Sequence, residues 1–557
     1  MAVKKHIQMK IVQFIKCLVF LSTLIMIQNC SPGKKENLMV FNYNQTACSS
    51  LDPAFAKDQG NMWVVNHIFN GLVQLDKNMG ILPSIAKSWN ISDDGLVYDF
   101  YLKKDVYFHS HSVFGENNTR TVTASDFVYS FNRIINNKVG SPGAWIFNGR
   151  VDANEAFTAL NDSVLRIKLT APFPPFLGIL SMQYCSVVSK EVIDLYGEHF
   201  RKNPIGTGPF KFKMWEEDQK MILMRNELYF EKDSDGIRLP YLDAVKISFI
   251  QDKQMEFLSF KKQKLDLLSS INSNIKDLII TRNGELREEL KDKINMEVIP
   301  YLNTEYLGFL VDKNIEKDIR GISNKKNPFL NKDIRKAINY SIDREILIKY
   351  LRNNIGEPAY KGFIPPVMLG KYADQIEGYR FDPIKAQQHL AKAGFPNGKG
   401  LPEIILYMSD ISMDLCEGIQ SQLKSAGFKV KLQKEQTSSM RQWMADSKLF
   451  FFYGQWIADY PDPETFLTVF WSKNPAPPNY TRFNNKAFDE LYDKALLISD
   501  PDERKKLYVE MDRIMLEEAP MVPLYYDEII NFTQKNVQGL KVTPSKLLIL
   551  KETKIIN

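Results

Sequence analysis

At 557 residues the chain is longer than a single core can grow, so two or three domains are expected. Hydrophobic residues make up 44% and aromatic residues 12%, enough to build a core in each domain and to exclude a disordered chain. The formal charge of +6 misleads: Lys4, Lys5, Lys10 and Lys16 precede any acid, and from Cys30 onward 68 of the 72 basic residues face 66 acidic ones. That near balance indicates no nucleic-acid partner.

The first 30 residues read as a targeting segment, outside the folded domains. A basic start precedes the uncharged run Cys17 to Ile27. Eleven residues rise only about 16 Å as a helix, too short for a bilayer core of about 30 Å. The run ends at Cys30 and the polar stretch Ser31 to Asn37. This resembles a bacterial lipoprotein leader, with residues 1–29 as signal peptide, Cys30 as the lipidated N-terminus and 30–37 as a tether. Asn29 departs from the small residue usual at that place, and an ordinary secretory leader cut nearby is the alternative. Either reading puts the mature protein outside the cytoplasm, in the periplasm or at the cell surface. No later segment is long and apolar enough to span a membrane. Cys48, Cys185 and Cys416 remain, an odd number without C-x-x-C spacing, so buried free thiols are expected rather than a disulfide framework or a zinc site.

From Leu38 the pattern is mixed α/β. Asp93-Asp94-Gly95 signals a hairpin turn, and Tyr98, Phe100 and Leu102 alternate with polar neighbours as in a strand. Thr123 and Asp126 form a capping box for a helix with Phe127, Val128 and Phe131 on one face. Phe210, Phe212 and Met214 alternate again, and Ile222 to Met224 begin a second strand. Asn331 caps a helix carrying Ile334, Ile338 and Ile342. Asp382 as N-cap with Pro383 at N1 opens another, which contains Ala386, Leu390 and Ala391 and stops at Gly394. The apolar-aromatic run Leu449 to Tyr453 marks a strand buried on both faces. Asp500 and Pro501 start a last helix, with Leu507, Met511, Ile514 and Met515 as its buried stripe. Strands interleaved with helices throughout imply α/β layers with partly parallel sheets.

Three motifs invite chemistry. Gly206-Thr207-Gly208 suggests a phosphate cradle, but Pro209 lacks an N–H and the residues after it read as strand, so a tight turn is expected. His109 and His111 share a strand face without a third ligand, so an exposed loop is expected and no metal or other cofactor is indicated. Hydrolase and nucleotide motifs (H-E-x-x-H, G-x-S-x-G, G-x-x-x-x-G-K-[ST]) are missing, and nothing indicates an enzyme. Asp459 follows shortly after the buried strand, where open α/β sheets place ligands. Asp462, between two prolines, reads as a turn-former.

Several segments resemble family 5 of the extracytoplasmic solute-binding proteins, the oligopeptide- and dipeptide-binding components of ABC importers. They include Asn70-Gly71-Leu72-Val73, Trp89 to Lys104, Val122 to Phe127, Asn203 to Phe210, Asp333 to Ile338, Phe381 to Phe395 and Val522 to Tyr526. The most telling is Trp456-Ile457-Ala458-Asp459-Tyr460-Pro461-Asp462-Pro463. The segments stand in family order over nearly all of residues 38–545. The resemblance implies a two-lobed periplasmic-binding-protein-like fold, α/β, of type II in its large subclass with an extra domain. The first lobe would comprise 38–71, 205–297 and 526–557, the extra domain 72–204 and the second lobe 298–525. It further implies a monomeric, non-enzymatic receptor that closes on a peptide and delivers it to an ABC permease and ATPase, held to the membrane through Cys30. Asp459 matches the carboxylate that receives the ligand's ammonium group. Trp145 and Trp456 are candidate cleft-wall aromatics, with core packing as the competing reading, and Tyr526 a candidate where the chain returns between lobes. A nickel chelate, an oligosaccharide or an opine-like solute are the alternative cargoes, and a non-transport sensor or surface lipoprotein the alternative role. Two features depart from the family: the stretch Ser110 to Arg120 replaces a short turn, and Gly454 stands one residue further from Asp459.

Overall fold

The computed structural model describes residues 38–152, 155–269, 271, 273–314 and 327–556. The leader, Cys30 and the tether lie outside the described residues. Among those described, no helix is long and apolar enough to cross a membrane.

An eleven-stranded mixed sheet organises the chain. At one end Val40–Asn44 runs parallel to Ala244–Ser248 and to Leu267–Ser269, and Ala244–Ser248 continues antiparallel into Lys220–Arg225 and Phe210–Glu216. At the other end Ile404–Met408 runs parallel to both Val430–Lys434 and Phe451–Ile457. Two long antiparallel strands, Ile294–Phe309 and Met521–Gln534, join these ends. The expected α/β layering therefore holds, with the parallel pairs confined to the flanks. The long ladder breaks between Pro300 and Thr304. Pro300 has no N–H to give, and Leu302 bonds instead to the Pro544 carbonyl (3.0 Å) and the Ala458 N–H (2.8 Å). The ladder resumes at Thr304 opposite Tyr526.

A separate four-stranded sheet is built from Ala86–Ile91, Val97–Leu102, Val164–Lys168 and Phe157–Asn161. Tyr98, Phe100 and Leu102 point into its core as their alternation predicts. Helix Ala124–Ile135 covers it with Phe127 and Phe131, and the Thr123–Asp126 capping box is formed. The predicted helices Lys332–Ser341, Pro383–Lys392 and Pro501–Glu518 form with Asn331, Asp382 and Asp500 as N-caps. Ala391 lies within its helix but faces solvent.

Two expectations need correction. His109 is buried, not on an exposed loop: its Nε2 lies 2.9 Å from the Gly208 carbonyl and its Nδ1 accepts the Gly206 N–H at 3.3 Å. The Gly206 to Gly208 turn presses so closely on Ile68 that a Cβ on either glycine would come within 2.5 Å of its backbone. These glycines therefore serve chain packing rather than a phosphate. Cys48, expected buried, is half-buried, while Cys185 and Cys416 are buried free thiols.

Candidate functional site

The strand Phe451–Ile457 begins in the core and ends at the surface. Phe451 and Phe452 are fully buried, Trp456 is half-buried, and Gln455 and Ile457 are exposed. The sequence run predicted the buried half; the other half carries the chain out towards Asp459.

A dense polar network holds the loop that follows. The Trp456 indole N–H donates to the Thr465 carbonyl at 2.7 Å, and the Asp459 N–H donates to the Thr465 hydroxyl at 3.4 Å. Asp462 Oδ1 accepts the Glu464 N–H and the Tyr508 hydroxyl, both at 3.0 Å, and its Oδ2 pairs with Arg504 at 2.9 Å. The Tyr460 and Tyr492 hydroxyls both donate to the buried Glu464. Asp462 is thus a turn-former, as expected, and also half of a buried ion pair.

The same loop docks on the small-sheet domain. Tyr460 belongs to that domain's apolar cluster, with its ring centroid 6.4 Å from those of both Trp145 and Phe173. Pro461 packs against the backbone at Gly178, where a Cβ would stand 3.1 Å from its Cδ. Arg150 stacks over Phe173 at 4.5 Å and over Trp145 at 6.0 Å, and donates to the Trp145 carbonyl at 2.8 Å.

Asp459 itself combines two properties that rarely occur together. Its side chain is open to water, yet protein surrounds it closely enough that desolvation pushes its pKa up to about 6. Among the described residues its carboxylate accepts no hydrogen bond and meets no cation. The neighbouring carboxylates of the loop, Asp462 and Glu464, are neutralised or hydrogen-bonded, so of the three Asp459 alone is left with unmet acceptor capacity.

The structure brings Trp145 and Asp459 together through Tyr460, and Trp456 stands on the strand leading to them. Trp145 keeps 36% of its surface exposed, whereas Trp456 packs on the core around Phe466 and Phe470. Tyr526 is 4% exposed, and its hydroxyl donates to the Gly362 carbonyl at 2.8 Å and accepts the Lys361 N–H at 3.2 Å. Both of its hydrogen-bonding functions are spent inside the fold. Sequence reasoning missed Arg504 and Glu464, since neither lies in the Trp456 to Pro463 segment that carries Asp459. Among the described residues no group of three or more His, Cys, Asp or Glu is placed to hold a metal ion.

Residues 80–478 match the family model described as bacterial extracellular solute-binding proteins, family 5 middle. The chain is 30% identical over 495 residues to heme-binding protein A of Haemophilus influenzae, covering 86% of this chain and 85% of that protein. It is 26% identical over 497 residues to the dipeptide-binding protein of Escherichia coli, covering 86% and 87%. Among solved structures, the periplasmic binding protein DppA of Helicobacter pylori in complex with the peptide STSA superposes with a TM-score of 0.73. It is 27% identical, over 93% of this chain and 98% of that one. HbpA2 of Haemophilus parasuis, at 24% identity, shares the fold with a TM-score of 0.78 over 94% and 100%. The architecture is the two-lobed type II fold of such proteins. The chain belongs to family 5 of the bacterial extracellular solute-binding proteins.

Proposed function

We propose that this protein captures peptides outside the cytoplasm and delivers them to an ABC permease, with Cys30 as its lipid anchor. The observation that carries the reading is the Asp459 carboxylate: crowded, open to water and, among the described residues, without a partner. A ligand ammonium supplies the missing charge. Peptide binding by similar proteins, among them the Escherichia coli dipeptide-binding protein and the Helicobacter pylori DppA complex, supports the ligand class.

In this reading residues 38–71, 205–297 and 526–557 form the first lobe, 72–204 the extra domain and 298–525 the second lobe. The broken ladder at Pro300–Thr304 is the hinge in this reading, because it is where the pairing between the two long strands is interrupted. Trp145 and Trp456 flank the ammonium site. Tyr526 acts indirectly, by holding the segment at Lys361 and Gly362. The cycle is capture, closure and release, with no covalent step.

The test is a double-mutant cycle by isothermal titration, with free and N-acetylated forms of one peptide against wild type and Asp459→Asn. Removing one partner of an enclosed hydrogen-bonded charge pair costs about 2–5 kcal/mol, roughly 30- to several-thousand-fold in affinity. The free peptide should lose that much on mutation, and the acetylated peptide, already weak, should lose little more. A coupling energy near zero removes Asp459 from the ammonium site.

A further inference from the structure

Val40–Asn44, Leu267–Ser269, Met521–Gln534 and Ile294–Phe309 are neighbouring strands of the large sheet. Tyr43 is in register with Leu267, Leu267 with Thr533 and Gln534 with Ile294, so Val40, Lys264, Lys535 and Lys293 stand at the same end of four adjacent strands. Hydrogen bonds hold that register: the Asp266 N–H donates to the Asn42 carbonyl at 2.7 Å, and the Gln534 N–H to the Asp266 carbonyl at 3.2 Å. With strands spaced about 4.8 Å apart, Lys264, Lys535 and Lys293 make a row about 10 Å wide. Helix Lys253–Lys261 ends next to Lys264 and adds Lys261 and Lys262. All five lysines are exposed, and none of their side chains makes an ion pair or hydrogen bond among the described residues.

The acids next to the row, along the chain or across the sheet, do not cancel it. Asp266 is buried and accepts the Asn42 N–H at 2.6 Å. Asp243 stands 3.6 Å from Arg225, and Glu288 pairs with Lys291 at 2.7 Å. Asp292 is exposed and offsets one lysine, which leaves a clear positive excess. Val40 is also where the chain enters the sheet from Cys30. Ten residue steps separate the two, a covalent reach of at most about 36 Å, and Lys34 and Lys35 lie among them. The row stands at the amino ends of the parallel strands, whereas open α/β sheets take ligands at the carboxyl ends. The Ala458 N–H, beside Asp459, donates to the Leu302 carbonyl at 2.8 Å. Leu302 lies nine residues along its strand from Lys293, about 30 Å away.

We propose that this end of the sheet is a membrane-contact face: the lysine row rests on the phosphates of anionic phospholipids and sets how the protein stands on the bilayer. The inference goes beyond peptide capture and rests, for the tether, on the reading of Cys30 as lipid anchor. An acyl anchor holds the chain near lipid but leaves it free to turn on its tether, and a polybasic patch is the second contact that removes this freedom. Lysine suits the task, because its compact charge sits on a flexible stem that follows mobile headgroups. Each lysine near an anionic surface corresponds to about five-fold in partitioning, a gain that salt screens. With the row on the lipid, the Asp459 loop stays at the far end of the long strand, clear of the surface and open to ligand.

The experiment places the full chain, purified with its lipid, in vesicles of phosphatidylcholine alone or mixed with phosphatidylglycerol. Lysines are acetylated at low conversion and each is read by mass spectrometry. Lys261, Lys262, Lys264, Lys293 and Lys535 should react several-fold more slowly on the anionic vesicles, and high salt should restore their rates. Lys371 and Lys486, with side chains 76% and 91% exposed elsewhere on the protein, should react equally on both. The triple variant Lys264→Gln, Lys293→Gln, Lys535→Gln changes only exposed side chains, so its melting temperature should not move, yet Lys261 and Lys262 should lose their protection. Equal rates for the five lysines on the two kinds of vesicle overturn the proposal, and so does protection that extends to Lys371 and Lys486. An N-terminal peptide without acyl chains overturns the anchor reading instead. The face is then decided on the unlipidated chain, where the triple variant should bind anionic vesicles about a hundred-fold more weakly than wild type and equal binding overturns the proposal.

Discussion

Arg504 Nη2 stands 2.9 Å from Asp462 Oδ2, with the two side chains only 8% and 11% exposed, three residues beyond the exposed Asp459. Arg504 comes from the first turn of helix Pro501–Glu518, and also donates to the Ile498 and Ser499 carbonyls. The pair ties the Asp459 loop to a helix of the second half of the chain. Its part is to position the loop, because both partners are buried.

Breaking that pair leaves an enclosed charge without compensation. Arg504→Met should destabilise the protein by about 3–5 kcal/mol, and Asp462→Asn by a similar amount. Replacing both residues should recover much of the loss, since no charge then remains unpaired. Urea denaturation of the three variants checks this. Peptide affinity should fall in the single variants even where the fold persists, because the Asp459 loop loses its anchor.

Peptide affinity should depend on pH through Asp459. Its pKa of about 6 means that it is ionised above that value and neutral below it. The peptide's α-amino group stays charged up to about pH 8. Affinity should therefore plateau between about pH 6.5 and 7.5 and fall as pH drops through 6, each further unit costing up to about ten-fold. Asp459→Asn should flatten the acid limb. Titration at half-unit steps would show whether the limb belongs to this residue.

The same carboxylate should weaken the ligand-free protein. Its folded pKa lies above the unfolded value of 3.8, so the folded state binds the extra proton between pH 3.8 and 6 and loses stability as pH rises through that window. Asp459→Asn should melt higher than wild type at pH 7.5, and the difference should close towards pH 4. Because the side chain is open to water, the gain is small, about 1 °C. Paired melting curves at the two pH values test the sign.

His109 has the opposite linkage. Burial lowers its pKa to about 4, below the ordinary 6.5, because a charged ring in that place loses its hydration. The unfolded chain takes up a proton near pH 6.5 that the folded protein refuses until about 4, so stability is full above 6.5 and declines between those values. The decline attributable to His109 is about 3 kcal/mol. His67, buried and lowered to about 3, adds to it in the same direction. In His109→Gln, the slope of melting temperature against pH between 6.5 and 4 should be shallower than in wild type, whatever the absolute stability of the variant.

What the sequence determined is local or repeated along the chain. The Thr123–Asp126 box, the Asp382-Pro383 start and the alternation at Tyr98, Phe100 and Leu102 each need only their own element to form, and each did. The Trp456 to Pro463 segment likewise placed Asp459 and Asp462 in a turn after a buried strand, since that turn is written in contiguous residues. Tertiary structure alone decided which polar groups are satisfied. His109 looked like a loop residue because its partners, Gly206 and Gly208, are a hundred residues away along the chain. Asp462 looked like a simple turn-former because Arg504 reaches it from another helix. Desolvation is a property of everything packed around a group, so a sequence can place a carboxylate in a turn, but only the assembled fold leaves that carboxylate without a partner among the described residues.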